Sequence, residues 1–300
     1  MSKTSVLIPV RGEKLENLQR TLDSIYKNAT GEFEVLIGYN GSTVWNFPQY
    51  PNLTVVDFPR NIGIKLNVNV LATMATGKYL YKSDAHCSFG KGFDQILQAD
   101  MKDDWIVMPR FYVLDGNTWQ WQDDRHYDYF YLSCPFTDSR GFRFKAGGHW
   151  PERTQERENK PELMIDETPQ IHGSGWFVNR DYYLNVLGGF PNIDPNGHGQ
   201  EPIWLALKNW LIGGKVMVNK KTWYAHMHQD GTVKGYRYTK EEERYTYEMT
   251  AKYWMSDKES NLRYNMEWFI KKFYPMPTWP EDWSDKLRIY KGAFLYPEDK

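Results

Sequence analysis

The sequence predicts an α/β fold built on a mostly parallel sheet, and two observations carry that prediction. Within the first 86 residues, short β-rich apolar runs alternate with segments whose apolar residues recur at helical spacing. Such alternation lays strands side by side with helices on the sheet faces and ligands at the carboxyl ends of the strands. The composition fits a folded chain: 300 residues, 41% hydrophobic and 25% charged, enough for one large or two small domains.

Taken in order, Ser5-Val6-Leu7-Ile8-Pro9-Val10 reads as a buried strand closed by Arg11-Gly12. Leu15, Leu18, Leu22, Ile25 and Tyr26 then mark an amphipathic helix over residues 14–28. Strands over 33–38 and 53–57 flank the turn Asn40-Gly41-Ser42; a helix over 64–75 leads through Thr76-Gly77 into a strand over 78–83, which ends at Asp84-Ala85-His86. Past Met108-Pro109 the pattern loosens. Residues 145–170 are dense in charge, Pro and Gly, and the expectation is a lid, mobile without ligand and ordered with it. Regularity returns with a strand over 173–178, helices over 180–187 and 201–211, strands over 216–218 and 222–228, and one or two helices over 239–274. The predicted organisation is one domain over 1–230, with halves 1–110 and 111–230, and a helical C-terminal extension over 231–300 packed on it.

Charge excludes some classes. Lys+Arg and Asp+Glu number 37 and 38 and no block collects one sign, so a nucleic-acid partner is not announced by charge. No run approaches ~18 apolar residues, so no membrane insertion is expected. The opening Met1-Ser2-Lys3-Thr4-Ser5 lacks a secretory pattern, and the cytoplasm is the expected location. Cys87 and Cys134 are expected to be separate thiols. The 13 Trp, 21 Tyr and 15 Phe chiefly build core, with sugar stacking a secondary use.

Asp84 and His86 lie two apart at a strand end, so both side chains project to one side and suit a shared cation. Alone the pair is a weak signal. In context it is specific: Ile8-Pro9-Val10, Asn61-Ile62-Gly63, Ala75-Thr76-Gly77-Lys78-Tyr79-Leu80 and Asp84-Ala85-His86 occur in order. Together they resemble the nucleotide-sugar glycosyltransferases of the GT-A fold, which is Rossmann-like. The Asp-x-His form is similar to the polypeptide N-acetylgalactosaminyltransferases and their bacterial and viral relatives. So are Gly173-Ser174-Gly175-Trp176-Phe177-Val178, Leu187-Gly188-Gly189-Phe190 and Gly197-His198-Gly199-Gln200-Glu201. The resemblance covers residues 5 to about 229.

It implies a metal-dependent transfer of sugar from a nucleotide-diphosphate sugar, expected to be a UDP-sugar, to a hydroxyl acceptor. Asp84, His86 and His226 would hold Mn2+ or Mg2+, with His228 the alternative on the same strand face. A divalent ion there neutralises the departing diphosphate. The donor would lie against Pro9, Arg11, Asn40, Asp57, Asn61, Lys65 and Asp84, and Glu201 would face sugar and acceptor as base or positioning carboxylate. Departures matter. Tyr39-Asn40-Gly41-Ser42 stands where common inverting relatives carry Asp-Asp-Gly-Ser; Asn40 accepts from uracil N3–H but also donates, which loosens the uridine preference. No lectin-like repeat follows residue 230, so a protein acceptor is less expected than a saccharide or hydroxymethylated bases of viral DNA.

Plainer readings stand beside these. Glu201 before Pro202 also fits a simple helix start, in which case Asp194 and Asp166 are the next acceptor-side carboxylates. His126 and His149 have no nameable partner, and Trp176 reads as core or cavity lining. Two rival functions are a sugar nucleotidyltransferase and a non-catalytic sugar-nucleotide- or carbohydrate-binding protein. Residues 10–14 are too short and acidic for the triphosphate loop of the first, and Asp84, His86 and Glu201 argue against the second.

Overall fold

The computed structural model describes residues 2–41, 49–145, 148–191, 199–228 and 239–295. The first half follows the predicted alternation: β1 (Thr4–Val10), α1 (Leu15–Asn28), β2 (Phe33–Asn40), β3 (Leu53–Phe58), α2 (Ile64–Met74) and β4 (Tyr79–Ser83). After β5 (Cys87–Phe89) and α3 (Phe93–Asp100) come two long strands, β6 (Trp105–Leu114) and β7 (Trp121–Tyr127). The second half holds α4 (Pro151–Arg157), β8 (Ile165–Glu167), β9 (Gly175–Asn179), α5 (Arg180–Asn185), α6 (Glu201–Ile212) and β10 (Lys215–His226). Helices α7 (Lys240–Met255), α8 (Met266–Phe273) and α9 (Trp283–Leu295) close the chain, the last beyond the predicted range.

All ten strands form one sheet, ordered β3-β2-β1-β4-β9-β6-β10-β5, with β7 on β6 and β8 on β10. The four strands β3-β2-β1-β4 are parallel, as are β6 and β10. The remaining pairings, β9 with β4 and β6, β5 and β8 with β10, and β7 with β6, are antiparallel. The expectation of a mostly parallel sheet is therefore corrected: only the N-terminal half is. A parallel return needs a crossover of a dozen or more residues, usually a helix. β5 follows β4 after only three residues and has none. The two strands expected over 216–228 are one strand, β10, with an irregularity between Asn219 and Trp223.

β1 is apolar from Val6 to Val10 because both of its faces are covered, and Val6, Leu7 and Ile8 are fully buried. Pro9 lies where the β4 ladder has already ended at Leu7, so its missing N–H leaves no bond unmade on that side. α2 sits close on β2 because Gly38 has no side chain: a Cβ there would come 1.9 Å from Asn67 Oδ1, and Asn67 Nδ2 donates to the Gly38 carbonyl at 2.8 Å. Gly63 begins α2 at φ 79°, a conformation that favours glycine. α7 and α8 supply Ala251, Trp254, Met266, Phe269 and Ile270 to the same buried cluster as the sheet.

Glu34 ties the far end of the sheet together. It accepts from Ser5 Oγ (2.6 Å), Thr76 N–H (2.7 Å) and Lys3 Nζ (2.9 Å). Burial raises its pKa, but these donors outweigh burial and hold it down at about 2. A depressed carboxylate contributes stability that is present above its unfolded value, near 4.5, and is lost as pH falls toward 2. Glu34→Gln is expected to lose roughly 2–3 kcal/mol at pH 7, read by urea unfolding, and to lie closer to the parent at pH 2.5.

The segment expected to act as a lid carries regular structure. Residues 151–167 form α4, a 3-10 turn over Pro161–Leu163 and the edge strand β8, docked on the sheet. Two of their carboxylates are held by protein: Asp166 accepts from Arg157 (2.7 Å) and Tyr129 OH (2.8 Å), and Glu167 bridges Lys215 (2.9 Å) and Lys272 (2.6 Å).

Candidate metal and donor site

Three segments meet at the carboxyl end of the central strands. Asp84 and His86 occupy the short link from β4 to β5, and the Asp84 N–H donates to Ser174 O at 2.9 Å, prolonging the β4–β9 pairing. His226 is the last residue of β10 and pairs with Cys87 of β5. The register of β5 on β10 therefore brings together residues 140 apart in the chain.

Their geometry suits a cation. Ligand atoms about 2.1 Å from one ion and at right angles lie roughly 3 Å apart. His226 Nε2 stands 3.0 Å from His86 Nε2 and 3.2 Å from Asp84 Oδ2, and the three ligand atoms lie within 4.8 Å of one another. One carboxylate oxygen and two imidazole nitrogens fit Mn2+ better than Mg2+, which prefers oxygen. Burial and the neighbouring His86 push the His226 pKa down to about 4 against the pull of Asp84, so the ring is neutral, as a ligand must be, at pH 7. His228 is exposed and stands outside this triad, edge-on to Phe111 at 5.8 Å.

Three supporting residues were not foreseen from sequence. Glu13 Oε2 lies 2.6 Å from His86 Nδ1, which orients the ring and directs Nε2 inward. Burial raises the Glu13 pKa, yet His86, Asn17 and the Lys14 N–H together hold it below the ordinary value. Lys82, on the same face of β4 as Asp84, is 4% exposed; its ammonium touches Asp84 Oδ1 and donates to Gly173 O at 2.7 Å. His172 stacks on Phe111 at 4.6 Å, shares a 2.6 Å hydrogen bond with Ser174 Oγ, and stands 5.5 Å from the His226 ring. Burial and the flanking His226 and His228 hold its pKa well below the usual histidine value. A carboxylate just past the first strand, and a Lys two residues before Asp84, were the only signals in the sequence.

The donor-side candidates cluster where β1, β2 and β3 end and α2 begins. Arg11 is exposed in the loop after β1, and Asp57 is exposed opposite Tyr39. Asn40 and Asn61 each hold the backbone through one bond: Asn40 Oδ1 accepts the Ile62 N–H at 2.7 Å, and Asn61 Oδ1 accepts the Gly63 N–H at 3.0 Å. The Asn40 oxygen expected to read a base thus shapes the Asn-x-Gly turn. Lys65 is 1% exposed, and its Nζ has no hydrogen-bond partner among the described residues.

Glu201 is the first residue of α6, and the ring of the following Pro202 packs by Gly173, the residue whose carbonyl holds Lys82. One oxygen, Oε2, accepts the Gly199 N–H at 2.9 Å; the other, Oε1, is buried without a hydrogen-bond partner among the described residues. The helix-start role is present in Oε2, and Oε1 remains available as an acceptor. Of the reserve carboxylates, Asp166 is engaged on β8, while Asp194 lies outside the described residues, as do Ser42, Gly197 and His198 of the motifs. Trp176 is core, 1% exposed and stacked on Tyr183. His126 lies within 3.6 Å of Asp128, and His149 meets Tyr127 edge-on.

One central sheet with helices on its faces is the architecture of the GT-A glycosyltransferases. Residues 5–187 match the sequence profile of glycosyl transferase family 2, and the chain belongs to that family. It is 26% identical over 152 residues to polypeptide N-acetylgalactosaminyltransferase 5 of Caenorhabditis elegans, covering 49% of this chain and 22% of that protein. It is 27% identical over 164 residues to polypeptide N-acetylgalactosaminyltransferase 15 of Homo sapiens, covering 53% and 24%. The chain thus matches about a quarter of the length of these curated relatives. Its fold superposes on GalNAc-T7, solved with UDP, GalNAc and Mn2+, at a TM-score of 0.67 and 17% identity, over 99% of this chain and 56% of that one. On residues 1–349 of S. aureus TarS in complex with UDP-GlcNAc the values are 0.51 and 15%, over 79% and 62%. No helix among the described residues is long and apolar enough to cross a membrane.

Proposed function

We propose that the chain transfers a sugar from a UDP-sugar to a hydroxyl acceptor, with Mn2+ held by Asp84, His86 and His226. The observation that carries this reading is the convergence of one oxygen and two nitrogens from distant segments, at spacings that suit one ion, with Glu13 behind His86. Support comes from GalNAc-T7 and TarS, which share the fold and were solved with UDP, GalNAc and Mn2+ and with UDP-GlcNAc respectively. The chemistry a divalent ion supplies there is neutralisation of the charge that grows on the departing diphosphate.

The chain's own residues divide the remaining work. Lys65 offers a buried positive charge beside the turn that Asn40 and Asn61 hold, where it meets a phosphate oxygen. Arg11, at the mouth, contacts the nucleotide from the solvent side. Glu201 Oε1 accepts the hydrogen bond of the incoming hydroxyl, while Oε2 keeps the start of α6 in place. An unpaired buried ammonium destabilises a free protein and is neutralised when an anion binds. Lys65→Met is therefore expected to weaken UDP binding at least ~10-fold by calorimetry while raising the melting temperature of the free protein.

The direct test is incubation with a panel of UDP- and GDP-sugars plus Mn2+, scoring release of nucleoside diphosphate with and without oligosaccharide, hydroxyamino-acid peptide or hydroxymethylated DNA. One UDP-sugar is expected to be hydrolysed slowly and consumed faster with its acceptor. Folded protein that turns over no donor in the panel contradicts the reading.

A further inference from the structure

Lys82 carries a charge that the transfer reaction, as drawn above, does not use. It lies inside the sheet, paired across β4 and β9 with Trp176, and its side chain is 4% exposed. Its ammonium is committed to two acceptors, Asp84 Oδ1 and Gly173 O. Asp84 has only two oxygens: Oδ1 meets Lys82, and Oδ2 faces His226. The carboxylate in the cation triad is thus already half claimed, and its charge is offset by a fixed positive neighbour.

Counting charge around the triad makes the consequence plain. The Lys82 ammonium offsets the Asp84 carboxylate, and the negative charge left beside the triad among the described residues is Glu13, which stands behind His86 rather than in the triad. Such a set draws a bare divalent cation weakly. A nucleoside diphosphate brings two to three negative charges and further oxygen ligands, which restore the balance.

We propose that Lys82 makes cation uptake conditional on the donor: the ammonium on Asp84 keeps affinity for the free cation low, and the diphosphate offsets it. This rests on the metal and donor reading given above. It makes Lys82 a positioning residue that acts through Asp84, and it explains why a lysine rather than an apolar residue occupies this buried position of β4. A purely mechanical role, bridging β4 to the turn at Gly173, has the opposite consequence: removing the bridge would loosen Asp84 and weaken cation binding.

The test is titration of the full chain with Mn2+, followed by electron paramagnetic resonance of the free ion, with and without saturating UDP. The parent is expected to bind Mn2+ at least tenfold tighter with UDP. Lys82→Gln, which keeps a donor for Gly173 O, is expected to bind Mn2+ alone at least tenfold tighter than the parent and to lose most of the dependence on UDP. Lys82→Met, similar in length but uncharged, is the second variant and is expected to shift the same way, whereas Lys82→Arg behaves as the parent. Equal parental affinity with and without UDP overturns the proposal, as does unchanged or weaker binding of Mn2+ alone by either uncharged variant. A parent that binds no Mn2+ in either condition overturns the metal reading itself, a result distinct from failure of Lys82 alone.

Discussion

Asp84→Asn is expected to lower donor turnover at least ~1,000-fold while the protein stays folded. The variant keeps an oxygen for the Lys82 ammonium and loses the negative charge. A cation stabilising charge in the transition state contributes several kcal/mol, and about 4 kcal/mol is a thousandfold in rate. The choice of Asn over Ala follows from the structure. Asp84→Ala would leave the nearly buried Lys82 without its carboxylate, and removing one partner of a buried pair costs about 3–5 kcal/mol of stability. Asp84→Ala is thus expected to lose both activity and melting temperature, and Asp84→Asn to lose as much activity with a smaller fall in melting temperature, since it keeps an acceptor for the ammonium. Paired assays of donor hydrolysis and thermal unfolding separate the two; hydrolysis by Asp84→Asn within tenfold of the parent would remove Asp84 from the chemistry.

Glu201→Gln is expected to lower turnover at least ~100-fold with UDP affinity nearly unchanged, the lower range for loss of a positioned acid–base group. The split is expected because the two oxygens of Glu201 have different duties. Gln can still accept the Gly199 N–H, so the start of α6 survives. Its amide at the Oε1 position donates where the carboxylate accepted, and it takes no proton. Turnover in parallel with UDP calorimetry reads the difference. A variant within a few-fold of the parent in both would leave Glu201 as the opening residue of a helix and nothing more, and with Asp166 tied to Arg157 and Tyr129 the next candidate would be Asp194, which lies outside the described residues.

What was legible in the sequence was local. The apolar run of β1, the heptad-like spacing of α1 and the Asn-Ile-Gly start of α2 each lie within a few residues, and each element appears where its pattern put it. Asp84 and His86 were legible for the same reason, being two apart on one strand end. Sheet direction was not legible past β4, because an antiparallel insertion such as β9 between β4 and β6 is set by which edge is left open rather than by any period in its own five residues. The supporting residues were hidden by distance. Glu13 meets His86 across 73 residues, and Lys82 meets Gly173 across 91, so nothing near either residue in the chain marks it. Within 151–167, charge and proline density hid regular structure, because Arg157, Lys215 and Lys272 hold Asp166 and Glu167 from other elements.

The proposed cation site joins one carboxylate and two imidazoles at the end of this sheet. Pulsed electron paramagnetic resonance of Mn2+ bound with UDP reads the ligands directly, because imidazole nitrogen modulates the electron spin echo. Modulation from two nitrogens is expected in the parent, reduced to one in His86→Gln and in His226→Gln taken singly, and unchanged in His228→Gln. Tightly bound Mn2+ with no nitrogen modulation, or modulation lost on changing His228 and kept on changing His226, would contradict it.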